Sequence, residues 1–207
     1  MLQRLLVSWL LCCCFLFARS EDTAWLKVHF LYGSRPLYKY RGTEPRWFGG
    51  ILGGHVGIEA DSGRILNFVP QGKFHLFSQR HNRHSRFAIH SEKEFYAILG
   101  GHCDSAKRTV IYVPVTPLQK ELFDSIAASY LSQTPYDYAL FGMRCAAAAY
   151  DILGQLDVLP YCNHGRTYKK IFYPRKLRKR LLKMARKHNW KVEQRRGSCT
   201  RKWEADY

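Results

Sequence analysis

The chain has 207 residues, 46% hydrophobic and 14% aromatic, which is enough apolar material for one packed domain and excludes a disordered polyelectrolyte. Its formal net charge of +17 calls for an anionic partner or surface. That charge is uneven: residues 166–207 hold 16 Lys/Arg against three acidic residues.

Residues 1–20 read as an export signal. Arg4 forms a short basic region, and about 13 apolar residues follow, too few to span a bilayer comfortably. Ala18 and Ser20 place cleavage after Ser20, with an uncleaved anchor as the alternative. Cys12, Cys13 and Cys14 leave with the signal, so the exported chain keeps Cys103, Cys145, Cys162 and Cys199. If one of the four is a catalytic thiol, at most one disulfide forms among the rest.

Trp25, Lys27 and His29 alternate with Leu26, Val28 and Phe30, predicting a first strand. A loop rich in Tyr and Arg follows, and Trp47, Phe48, Gly49 and Gly50 offer either a cleft wall or loop packing. Next, two alternating runs flank Asp61, Ser62 and Gly63, a three-residue hairpin loop with Gly at the left-handed position. The loop pairs Ala60 with Arg64, Gly57 with Asn67 and His55 with Val69. His55, Gly57, Glu59 and Asn67 then share one face, with Asn67 the diagonal neighbour of His55. Glu59 lies about 13 Å along the strand from His55, too far to hold its ring. A histidine with an asparagine beside it is two thirds of a cysteine-hydrolase site.

His75, His81, His84 and His90 lack tight spacing, and Arg80, Arg83 and Arg86 among them repel a dication, so no metal site is expected. Residues 74–77, 86–90, 95–99 and 109–113 read as further strands. Thr116, Pro117 and Glu121 start a helix, with Leu118, Leu122, Ile126 and Tyr130 as its packing stripe. Gly142 then breaks the chain before Cys145, which begins an alanine-rich helical run. A thiol in the first turn of a helix feels the positive end of the dipole, which lowers its pKa, and Arg144 adds positive charge.

His55 in His-x-Gly-Ile, a polar residue twelve positions later and Cys145 at a helix start, in that order, resemble the circularly permuted papain-like cysteine enzymes. These include the lecithin retinol acyltransferase-like proteins and the permuted relatives of NlpC-type cell-wall peptidases. The resemblance covers residues 53–70 and 136–153. Arg144 stands where the family often has Asn, and Ala148 where an aromatic is common. The resemblance implies an α+β fold: an antiparallel sheet packed against the Cys-bearing helix. It also implies attack by Cys145, proton transfer by His55, orientation of the imidazole by Asn67, and an oxyanion site from the Cys145 N–H with Tyr136 or Tyr138. No cofactor is called for.

Beyond residue 165 the chain reads as a basic helical extension. Pro174 starts a helix, Leu177, Leu181, Met184 or Ala185, and His188 form a narrow stripe, and basic residues fill the other face. Arg175, Lys176, Arg178, Lys179, Arg180, Lys183, Arg186 and Lys187 suit an anionic membrane or cell-surface polymer, which an exported protein meets more readily than nucleic acid, so no nucleic-acid partner is expected. The alternative is a helix docked on the domain with a solvated basic face. The reading is a signal peptide (1–20), a permuted papain-like domain (21–165) and a basic extension (166–207). Its activity would be that of an exported, envelope-associated or secreted hydrolase or acyltransferase acting on a cell-wall peptide or a lipid ester. The rival is a non-catalytic exported module that binds polyanions.

Overall fold

The alternating segment at residues 24–32 forms β1 (Ala24–Tyr32), with Leu26, Val28 and Phe30 fully buried. In the computed structural model, which describes residues 23–81 and 83–205, β1 lies inside a six-stranded antiparallel sheet. The expected signal segment lies outside the described residues. On one side β1 pairs with β3 (Gly54–Glu59), followed by β4 (Ile65–Pro70) and β6 (Ser85–His90). On the other it pairs with β7 (Arg108–Val115), followed by β9 (Val192–Arg195). Two small sheets flank it: β2 (Ser34–Pro36) pairs antiparallel with β10 (Arg201–Trp203), and β5 (His75–Phe77) pairs parallel with β8 (Ala139–Phe141).

The β3–β4 hairpin closes as its loop dictates. Gly63 takes φ 78°, and Arg64 N–H donates to Asp61 O at 3.2 Å. Gly57 faces Asn67, Ile58 faces Leu66 and Glu59 faces Ile65. The ladder does not continue to His55 and Val69. Beyond Gly57, β3 stays with β1 and β4 stays with β6, so the two strands part.

Helix α1 (Glu92–Ala97) replaces the strand expected at residues 95–99. Ser91 caps it by accepting Glu94 N–H while the Glu94 carboxylate accepts Ser91 N–H, a capping box the apolar run Phe95 to Leu99 conceals. Helix α2 (Pro117–Ser132) starts on the Thr116–Gln119 capping box. Its buried residues are Phe123 and Ile126, whereas Leu118 and Leu122 are exposed, so the packing stripe is rotated from the one expected. Helix α3 (Cys145–Gln155) lies with its alanines against Val56, Ile58, Leu66 and Phe68 on one face of the sheet. A smaller cluster of Trp47, Ile65, Phe95, Tyr96 and Leu99 covers the opposite face.

The stretch after residue 165 is not an appendage. Helix α4 (His164–Lys170) packs on α3, and α5 (Pro174–His188) buries Leu177, Leu181 and Ala185 in the main core. The chain then adds β9 to the edge of the large sheet and β10 to β2. The fold is α+β, with the Cys-bearing helix on an antiparallel sheet.

Candidate active site

The position of Asn67 settles the chemistry of His55. The Asn67 amide lies between the carbonyls of Ile65 and Ala88, at 3.2 and 3.1 Å from Nδ2, and His90 Nδ1 lies at 3.0 Å. Two carbonyl oxygens only accept, so Nδ2 must face them and Oδ1 must face His55. His55 Nε2 stands 2.9 Å from that oxygen and therefore carries the proton, leaving Nδ1 as the lone-pair nitrogen. Both residues are buried, and Phe95 packs on the imidazole with ring centroids 5.3 Å apart. Phe95 also explains Gly57: a Cβ there would stand 2.8 Å from the Phe95 ring and 2.5 Å from Ile65 Cγ2. Burial drives the His55 pKa down to about 4, and the bond to Asn67 offsets only part of that.

Cys145 is the first residue of α3, preceded by an extended Arg144. With β3 and β4 parted at this point, the Val56 and Ala146 N–H groups and the Tyr138 hydroxyl stand near enough to the Cys145 sulfur to favour its charged form. These donors and the Arg144 charge favour the thiolate. Burial outweighs them and pushes the thiol pKa up, contrary to the lowering expected from the helix start. Both partners of the expected pair thus rest neutral near pH 7.

Cys145 and His55 line one cavity of about 590 Å³. Its walls also include Phe48, Gly49, Leu52, Val69, Phe74, Leu140, Phe172 and Tyr173, with Arg86, His90 and Arg144 as the further charged or titratable groups. The aromatic-glycine run at residues 47–50 divides its labour: Phe48 and Gly49 form cavity wall, and Trp47 packs in the core with Arg201 over its ring.

Of the two oxyanion candidates, Tyr138 reaches the cavity and the Cys145 sulfur, while Tyr136 does not. Tyr136 is packed between Phe68, Phe87 and Tyr130. Glu59 is kept from His55, held instead by Lys27 Nζ at 2.6 Å and His29 Nε2 at 2.8 Å. His90 and the Val56 N–H had not been expected at the site. His90 sits on the Asn67 side of β6 by simple alternation, a signal that needs the β4–β6 pairing to be used.

The other expected residues fall elsewhere. His75 and His84 serve Asp137, whose carboxylate accepts from His75 Nδ1 at 2.6 Å and from His84 N–H at 3.0 Å. Among the described residues no group of three or more His, Cys, Asp or Glu is placed to hold a metal ion. Cys103, Cys145, Cys162 and Cys199 are all free thiols. On α5, Lys176, Lys179, Lys183, Arg186 and Lys187 are exposed, and Arg175 and Arg180 are half-buried. Arg178 does not belong to the surface set: it is fully buried, bonded to Glu204 Oε2 at 2.9 Å and stacked 3.7 Å from the Tyr32 ring centroid. Compared with models of protein families, with curated proteins and with solved structures, the chain matches none.

Proposed function

We propose that the chain is a cysteine hydrolase or acyltransferase of permuted papain-like design, acting on an ester or amide carbonyl. One observation carries the reading: Asn67 fixes the His55 tautomer with Nδ1 unprotonated, on the wall of the cavity that Cys145 also lines. The chain order supports it, with His on one strand, the orienting amide on the next and Cys later at a helix start.

As Cys145 Sγ attacks the carbonyl carbon, its proton passes to His55 Nδ1 and the carbonyl electron pair moves onto oxygen. Collapse breaks the bond to the alcohol or amine, which leaves with the proton held by His55. Water, or a second alcohol or amine, then attacks the thioester, and the thiol is regenerated. Because the thiol is raised and the imidazole lowered, proton transfer accompanies attack, and no thiolate–imidazolium pair stands ready beforehand. The Val56 and Ala146 N–H groups and the Tyr138 hydroxyl stabilise the charge that sulfur takes up as the thioester C–S bond breaks.

The test is to incubate the chain with 4-nitrophenyl esters of graded acyl length, quench in acid and map the adduct. An acyl group on Cys145 is expected, absent from Cys145→Ala, with turnover reduced by roughly a thousandfold or more in both Cys145→Ala and His55→Ala. Turnover that survives in Cys145→Ala removes the proposal.

A second reading rests on the five exposed Lys and Arg residues along α5, which suit attraction to an anionic surface screened by salt. It concerns where the molecule sits and is compatible with the first.

A further inference from the structure

The cavity is apolar over most of its wall and carries charge of one sign only. Arg86 and Arg144 line it, and neither Asp nor Glu does. Arg144 is the telling residue. Its guanidinium lies 3.6 Å from the Phe172 ring centroid and 5.3 Å from that of Tyr173, and Nη2 donates to the Phe172 carbonyl. These contacts hold the planar cation in place without neutralising it, and among the described residues no carboxylate pairs with Arg144 or Arg86.

A half-buried cation without a counter-charge is costly, and partial desolvation lowers the Arg144 pKa from its ordinary value. An anion arriving from solvent repays that cost with charge-assisted hydrogen bonds, for which the guanidinium fork is well shaped. Arg144 immediately precedes Cys145, lines the same cavity, and its charge acts on the Cys145 thiol. Away from it, Leu52, Val69, Phe74, Ile98 and Leu140 offer only hydrocarbon. At about 590 Å³ the cavity has the size of a site for one small ligand.

We infer that this cavity selects an amphiphilic anion, a hydrocarbon chain lying along the apolar wall with a carboxylate or phosphate group seated on Arg144. This deepens the proposed function, on which it rests for the identity of the site: the ester or amide to be opened would lie beside the anionic group. Arg144 is then the residue that determines specificity, occupying the place where the resembling enzymes often have Asn.

Binding tests this without turnover. Dodecanoate, dodecyl phosphate, dodecanol, dodecyltrimethylammonium and butyrate are titrated into the full chain in the Cys145→Ala background, below micelle-forming concentrations. Dodecanoate and dodecyl phosphate are expected to bind about ten- to a hundredfold more tightly than dodecanol or the ammonium, the size of one charge-assisted pair. Butyrate, which has the charge without the chain, should bind weakly. A preference for only one of the two anions identifies the head group and leaves the inference standing. Arg144→Gln should remove the anion preference while leaving dodecanol affinity within about twofold, which also reports that the variant is folded. Arg144→Lys should restore part of the preference, since it keeps charge but loses the planar stack.

Equal affinity for dodecanoate and dodecanol overturns the inference, as does an unchanged dodecanoate affinity in a folded Arg144→Gln. The two readings separate cleanly. Selective anion binding by a chain that acylates no cysteine removes the catalytic proposal alone. Acylation of Cys145 with no charge preference removes this inference alone.

Discussion

The two ends of one strand face carry two buried polar groups with opposite fates. His55 and Glu59 both project from β3 on the side of Phe95 and Tyr96, four residues apart. At the first end the partner of His55 is a neutral amide, so burial wins and the ring is held uncharged, its pKa about 4. At the second, burial also opposes the charge on Glu59. There the bonds from His29 and Lys27 outweigh it and drive the carboxyl down to about 2. A buried group with a neutral partner keeps its proton equilibrium open for chemistry. A buried group with a charged partner is locked, and what it offers is a joint between strands, here β1 to β3 through Lys27. The sheet thus separates a working end from a holding end.

The comparison can be broken most forcefully at the holding end. Glu59→Ala leaves Lys27 and His29 facing one another without the carboxylate, and should cost about 3 kcal/mol in urea unfolding while sparing turnover per folded molecule. A stable, inactive Glu59→Ala would mean that the carboxylate belongs to the chemistry after all.

Acid should then resolve the two ends into separate windows. His55 is depressed from about 6.5 in the unfolded chain to about 4, so the unfolded state takes up its proton first. That group's penalty is absent above pH 6.5, grows as pH falls to 4, and is complete below it, on the order of 3 kcal/mol at most. The Glu59 contribution is fully present above its unfolded value of about 4.3 and is lost as pH falls toward 2. Stability measured against pH should therefore show a smaller upper step in His55→Gln, with His90, also lowered by burial, supplying what remains. It should show a smaller lower step in Glu59→Gln, with other lowered carboxyls such as Asp137 and Glu193 supplying the rest. An upper step undiminished in His55→Gln assigns it to another histidine.

The mildest test falls on the orienter. Asn67→Ala frees the His55 ring and should lower kcat about ten- to a hundredfold with KM little changed, the pattern of a positioning residue. An equal loss carried in KM would place Asn67 in substrate binding.

How much of this could be read from the sequence depends on how local each signal is. Asp61, Ser62 and Gly63 fix their own loop, and a period of two then carries the register from Gly57 to Asn67. Thr116 and Cys145 mark helix starts through their immediate neighbours. What escaped depended on partners distant along the chain. The ladder ends at Gly57 because β3 and β4 follow different neighbours, and hairpin geometry alone does not contain that. Arg178 reads as one more surface cation until Glu204 and Tyr32 are brought around it. Phe95 to Leu99 misled differently. With apolar residues on all sides there is no period to read, and the cap at Ser91 was the better witness.

One closing contact bears on the order in which the molecule can be made. β2 gains its only strand partner among the described residues when β10 arrives, and Arg201 reaches back to Ser34, Glu44 and Pro45 across more than 150 positions. Trp203 completes the seat of Trp47, their ring centroids 5.3 Å apart. A ribosome that has not yet delivered residue 204 therefore holds a chain with an open β2 edge and an unfilled socket beside the cavity wall. The wide separation of these contacts makes this closure slow beside the local hairpins and capped helices.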